Sequence, residues 1–521
     1  MHFDEVFRQP STRRSVLKVG AAAALASQVA LLEQAAFLPQ RLALAAGAPP
    51  DIQFDIGGVI PPAFTVDGVQ VRFGPVFTLF VPARLTRTPT LAEQRTLSQA
   101  LGTLESIYPF SPSGILVVLA YGLPYFRRLP AGVVSANMPQ TLDTHQPVLV
   151  EAVPSPTDVV KGNGVSKKTY NVPVAIESND MLVTIRSDSL AHVIEVYAWL
   201  QGSDFLHGRR VASPELRGLI RFATPRLMFQ QMGLPRKVAD ALRLPFAKQI
   251  NPQSPMWMGF ADQQTDSSGP APVVTFVGNA TARLTNAKAG DYLDNGSIQV
   301  LSHDILDLEQ FYELAGVNPD APEGETYLER IQYMFRSNQL NTAHGVPNEG
   351  SADQFTNGGG PAFVNNAFQG PDDAMRAARA SAGKFGPGNA NQDATFTGLG
   401  RIGHEQALQR SSRAADGSPL HIRMDGTGYD PLDVPDGSAQ PKLEFSAFVP
   451  TAQFFEKMRA NSAAVDLQEQ FDVEEDDNGL ERFMTATRRQ NFLAPPRRHR
   501  VFPMLELTGG TSRGWRLPFG R

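Results

Sequence analysis

The chain has 521 residues, of which 42% are apolar and 19% charged. That balance supports folding over disorder and, at roughly 100–200 residues per domain, allows two to four domains. The net charge of −5 argues against general nucleic-acid binding. The absence of cysteine excludes disulfides, thiolate nucleophiles, zinc–thiolate centres, iron–sulfur clusters and cysteine-bound haem, so any metal must be held by His, carboxylate, Tyr or Met.

Arg13 and Arg14 precede an apolar stretch from Val19 to Leu32, and Ala43, Ala45, Ala46 and Ala48 follow. This is the layout of a twin-arginine export signal over residues 1–48, with cleavage expected after Ala45 or Ala48. The apolar stretch is shorter than the ~20 residues a spanning helix needs. No later run is long enough either. A periplasmic or extracellular protein without a membrane span is therefore expected, with the twin-arginine export machinery as a partner.

Beyond the signal, residues 49–255 and 256–521 read as two halves. Gly74–Leu85, Ile115–Gly122 and Met181–Ile185 are rich in Val, Leu and Phe and read as strands. A helix follows over 189–201, with Leu190, Val193, Ile194 and Tyr197 on one face. In the second half Ser297–Ser302 reads as a strand and Asp307–Ala315 as a helix capped by Asp307. Residues 442–450 alternate apolar and polar side chains, a strand with one buried face, and a helix over 451–460 carries Phe454, Phe455 and Met458 on one side. The strand–helix order predicts an α+β fold of two similar domains with antiparallel sheets. Residues 338–400, rich in Gly and Asn, read as a long insertion in the second domain. It either covers the surface or a site entrance, or is a disordered excursion. The acidic run Glu474–Asp477 reads as a solvated loop, and the basic cluster Arg497–Arg500 as solvent-facing.

The sequence lacks His-Glu-x-x-His and Walker motifs. Three segments stand out: Met258–Gln263, Gly403–Ala407 and His421–Asp425. In their order along the chain they resemble the dye-decolorising (DyP-type) peroxidase superfamily. Gly259-Phe260-Ala261-Asp262 stands where that family carries Gly-x-x-Asp-Gly, and His404 matches its haem-ligating histidine at a helix start. Arg423 follows His404 by 19 residues, near the family's spacing for an arginine at a strand edge. Tyr121–Phe126 looks like its Gly-x-Gly-Pro-x-x-Phe segment, and Asn491–Pro496 like its closing motif. The order covers about residues 60–520. Gln263 replaces the family's second Gly, Asp425 stands where some members have Asn, and residues 57–75 lack the His-Gln-x-Gly-Ile stretch. The departures suggest a divergent branch.

The resemblance implies two ferredoxin-like domains of the dimeric alpha-beta barrel type, with haem b in the second. It implies a peroxidase that couples hydrogen-peroxide reduction to oxidation of an organic electron donor. His404 would ligate the iron, with its other ring nitrogen on a carboxylate. Asp262 would be the general acid–base and Arg423 the stabiliser of developing negative charge. Arg401 and Arg410 would meet the haem propionates. Trp257 and Tyr429 are candidates for electron entry, or ordinary core aromatics. His421, two residues before Arg423 on the same strand, is expected to face the other way and to be structural. The alternatives are a non-catalytic haem- or iron-handling protein and a haem-less structural protein of the same fold. Homo-oligomerisation is left open.

Overall fold

The computed structural model describes residues 48–313 and 420–508, apart from breaks at 63, 67–68, 72, 251, 253, 259–268, 279–282 and 476–477, together with Leu32, Leu340, Asn341, Val346, Pro347 and His404. Apart from Leu32 and Ala48, the expected export signal lies outside these residues, as does most of the expected 338–400 insertion. Among the described residues no helix is long and apolar enough to cross a membrane.

In the first half the main elements are β1 (Phe77–Leu85), α1 (Leu91–Ile107), β2 (Leu116–Tyr121), β3 (Ala175–Ile176), β4 (Met181–Ser187), α2 (Leu190–Leu200), β5 (Ile220–Phe222) and β6 (Arg226–Phe229). Each long helix starts where a side chain replaces a missing backbone partner. Thr90 and Glu93 form a reciprocal capping box at α1, and Ser189 accepts from the His192 amide at α2. The stripe Leu190, Val193, Ile194 and Tyr197 is buried, as its spacing predicts.

In the second half β7 (Ser297–Leu306), β8 (Ile422–Asp430), β9 (Gln440–Val449), α3 (Ala452–Ala463) and β10 (Met484–Ala494) follow. β7 runs four residues beyond the predicted end at Ser302. The polar run Ser302-His303-Asp304 looks like a strand terminus in sequence, yet all three residues are buried and paired with β9 and β10. Asp307 does cap the next helix, accepting from the Gln310 amide. That helix spans only Leu308–Phe311, with Tyr312 as its C-cap, short of the expected Ala315.

The four main strands of the first half lie in the order β6-β1-β4-β2, and those of the second in the order β8-β9-β7-β10. Numbered within each half, both are the 4-1-3-2 arrangement (read in one direction or the other) of a β-α-β-β-α-β ferredoxin-like unit. The fold is therefore α+β with two ferredoxin-like halves and antiparallel main strands. The halves share one sheet: β6 pairs with β8 and β10 with β2, closing a ring of eight strands, while β5 extends β1 and the short β3 runs parallel to β10.

Ring closure gives the strands two buried faces. Phe80, Val118, Leu182, Met228, Leu301, Met424, Phe448 and Phe492 come from all eight strands and pack together inside the ring. Phe54 enters from the N-terminal segment and stacks on Phe448 at 4.3 Å between ring centres. The opposite faces pack under the helices, as with Leu79, Val81 and Val183 beneath Leu97, Leu101, Val193 and Ile194. Both seams between the halves are thin. β6 meets β8 in register only at Phe229–Thr427, and β10 meets β2 only at Leu493–Tyr121.

The basic cluster at 497–500 is only partly solvent-facing: Arg498 is exposed, as expected, but Arg500 is buried. Arg497 and Arg500 both reach Glu105 of α1 at 2.7 Å, and Arg498 bridges Asp51 and Asp294. These carboxylates converge from three remote parts of the chain, which no local pattern reveals.

Candidate functional site

A cavity of about 660 Å³, within the ~300–1,000 Å³ usual for small-molecule and cofactor sites, lies mainly against the outer face of the second-half strands and reaches Phe54, Met424 and Phe448 of the inner cluster. Strand alternation sets its walls. Arg423 and Asp425 project from β8, Phe445 and Ala447 from β9, and Ser302 and Asp304 from β7. Helix α3 contributes Phe455, Met458, Arg459 and Ser462, and His404 lies in the same wall. α3 starts at a Thr451 cap that accepts from the Phe454 amide, which turns this face toward the sheet. The Phe445 and Phe455 rings stack at 5.7 Å, and the Arg459 guanidinium lies 5.4 Å from the Phe455 ring centre.

His404 Nδ1 lies 3.3 Å from Ser462 Oγ. Burial drives the imidazole pKa down to about 4, against the opposing pull of the Asp425 carboxylate. The ring is thus neutral near pH 7, the form that binds metals. Asp304 has the opposite problem: burial raises its carboxyl to about 6. Arg489 forms a two-pronged pair with Asp158 at 2.6 and 2.7 Å and donates to Ser302 Oγ at 2.8 Å. Arg459 donates to the Val153 carbonyl at 2.7 Å, but its buried Nε has no hydrogen-bond partner.

The structure brings His404 and Arg423 to one cavity. Asp262, Arg401 and Arg410 lie outside the described residues. Trp257 lies in the cavity wall, donates to the Gly428 carbonyl at 2.9 Å and meets the Tyr429 ring at 6.5 Å. His421 is a correction. It does not face away from Arg423 but lines the same cavity, because alternate positions of an extended chain point to one side. Asp425, noted in the sequence only as standing where some members have Asn, lines the same cavity at the same two-residue spacing from Arg423. Sequence reasoning missed Arg459 and Ser462, one turn apart on α3.

Haem b calls for a neutral axial imidazole, apolar walls and cationic partners for two carboxylates. His404 supplies the first. Phe445, Ala447, Phe455 and Met458 supply the second, and the orphaned Nε of Arg459 is suited to the third. The residues present fit the group.

Fold and cavity together define an α+β protein of two ferredoxin-like halves closed into one barrel, with a ligand-sized chamber on the outer face of the second half. The chain belongs to a family of unknown function, DUF7405, whose profile matches residues 75–321 and 381–496. No curated protein sequence matches it. Solved structures similar to it are DyP-type peroxidases. The one from Cellulomonas bogoriensis is 13% identical, with 86% of this chain and 96% of that one covered and a TM-score of 0.45. A DypB variant from Rhodococcus jostii in complex with heme is 12% identical, with coverages of 84% and 97% and a TM-score of 0.45. The dye-decolorizing peroxidase from Bacteroides thetaiotaomicron is 11% identical, with coverages of 87% and 99% and a TM-score of 0.43.

Proposed function

We propose that the chain is a haem-dependent peroxidase of the DyP type, exported by the twin-arginine route, which reduces hydrogen peroxide at the expense of an organic electron donor. The observation that carries this reading is the single chamber shared by His404, Arg423 and Asp425. Its apolar walls and buried guanidinium suit a flat, apolar ring with carboxylate tails.

Bound haem supplies a redox-active iron for peroxide reduction and donor oxidation. His404 would hold it, with Ser462 beside Nδ1 to fix the ring orientation. Arg459, whose buried Nε has no hydrogen-bond partner among the described residues, would meet a propionate. Arg423 offers fixed positive charge to the peroxide oxygen on which negative charge develops. A carboxylate must take a proton from one peroxide oxygen and return it to the other. Asp262 holds that role by its motif, and Asp425 is the carboxylate beside Arg423 on the same strand face.

The test is spectroscopic. The purified chain supplied with haem should develop a Soret band that His404→Ala abolishes. Asp262→Ala and Asp425→Ala then show which carboxylate the peroxide reaction needs. A folded chain that ignores haem ends this reading, and haem binding with peroxide kinetics indifferent to Arg423 and both carboxylates leaves haem handling in its place.

A further inference from the structure

Inside the barrel, on the sheet face opposite the chamber, lies a second polar constellation. His303 of β7 and Glu444 of β9 are directly opposed in register, and Asp430 ends the neighbouring β8. His303 and Glu444 are fully buried and Asp430 nearly so. His303 Nε2 lies 3.4 Å from Asp430 Oδ2 and 3.4 Å from Glu444 Oε1.

Hydrogen-bond direction fixes what these atoms present to one another. Thr487 Oγ1 lies 2.9 Å from His303 Nδ1 and donates to the His303 carbonyl at 3.1 Å. Its one proton is thus committed to an acceptor, so it accepts from Nδ1–H. That leaves Nε2 as a lone pair, aimed at two carboxylate oxygens. Asp430 divides its work: Oδ1 takes the Leu432 amide at 2.8 Å and faces Lys442 Nζ at 3.7 Å, and Oδ2 is turned to His303. Lys442 is anchored on the Leu432 carbonyl at 2.6 Å, on the Oδ1 side. Among the described residues neither oxygen of Glu444 has a hydrogen-bond partner, and a buried carboxylate left so demands an ion, a proton or water. Gly428 makes the room: a Cβ there would stand 2.9 Å from Glu444 Cγ and 3.0 Å from Oε1.

Three ligand atoms, one from each residue and all within 4.8 Å of one another, call for a cation. Donors at about 2.0–2.1 Å from a tetrahedral metal lie about 3.3–3.4 Å from each other, which matches both measured separations. One imidazole and two carboxylates suit zinc, manganese or iron(II), and tetrahedral spacing favours zinc. The Nδ1–H···Thr487 bond is the outer contact that orients a metal-binding imidazole.

We propose that His303 Nε2, Asp430 Oδ2 and Glu444 Oε1 form a site for one divalent cation, zinc by preference, which ties β7, β8 and β9 together inside the barrel. None of the three ligands lines the chamber, so the site stands or falls apart from the peroxidase reading.

The test is zinc binding to the full chain after chelator treatment, followed by calorimetry and by metal-to-protein ratio; zinc keeps haem iron out of the measurement. The expected result is one zinc per chain and a melting temperature raised by zinc. Glu444→Gln and Asp430→Asn should each weaken binding by more than about 100-fold, and Thr487→Val by about 10–100-fold. Folded wild-type chain that takes up no zinc overturns the proposal, even if the variants fail to fold. Undiminished binding by folded Glu444→Gln and Asp430→Asn also overturns it, by placing the metal elsewhere.

Discussion

Gly479 backs directly onto His404. Its φ is +48°, and a Cβ built there would stand 3.3 Å from the His404 backbone nitrogen and 3.4 Å from its Cα and Cβ. Glycine suits the position twice over, for the left-handed backbone and for the close approach. Gly479→Ala should cost about 1–2 kcal/mol of stability and displace the imidazole. Gly437, at φ +73° with open space around it, is the control. Gly437→Ala should carry a similar stability cost, while only Gly479→Ala weakens haem binding and alters the Soret band in a titration.

Arg423 should separate binding from chemistry. Its assigned role is to meet negative charge that develops during the reaction. Arg423→Ala should therefore retain haem while the rate constant for the peroxide reaction falls by about 10²–10³-fold. Arg423→Lys should recover part of that loss, because it keeps the charge but not the planar fork. Stopped-flow measurement of the peroxide reaction reads both.

The Asp158–Arg489 pair joins the two halves at the chamber wall. Burial by itself raises the Asp158 carboxyl, but the Arg489 guanidinium and the Ser155 amide outweigh it and hold the group below its ordinary 3.8. The depressed folded value means the contribution is present above about pH 4 and is lost as pH falls through that value. Asp158→Asn leaves Arg489 buried without its partner charge and should cost about 3–5 kcal/mol near pH 7. Urea midpoints should show a wild-type advantage that is flat from about pH 5 upward and shrinks below about pH 4.

Gln53 stands in for missing sheet bonds at the β2–β10 seam. Its amide donates to the Leu119 carbonyl at 3.0 Å and to the Pro495 carbonyl at 2.6 Å, and accepts from the Leu119 amide at 3.1 Å. Gln53→Met keeps the volume and deprives three backbone groups of a partner. It should cost at least about 2 kcal/mol, measured by chemical denaturation, with the peroxide reaction of the folded fraction unchanged.

The elements of this fold are legible in the chain because side-chain direction repeats locally. Leu190, Val193, Ile194 and Tyr197 announce α2, the alternation through 442–450 announces β9, and Asp307 announces a helix start. The polar residues at 302–304 defeat the same reading, since their partners lie on other strands. At the site, His404 and Arg423 are legible only through the order of motifs along the chain. His421 and Asp425 were within reach of the two-residue period. Arg459, Ser462 and Asp158 carried no such signal.

Local pattern thus decides where the chain turns helical or extended and which face of each piece is apolar, because both follow from backbone geometry within a few residues. Ring closure and strand register decide the rest. They set Arg489 against Asp158, turn His404 and Arg423 toward one chamber, and place His303 opposite Glu444 on the other side of the same sheet. Such meetings depend on contacts between residues far apart in the chain, and a single sequence holds no periodicity that records them.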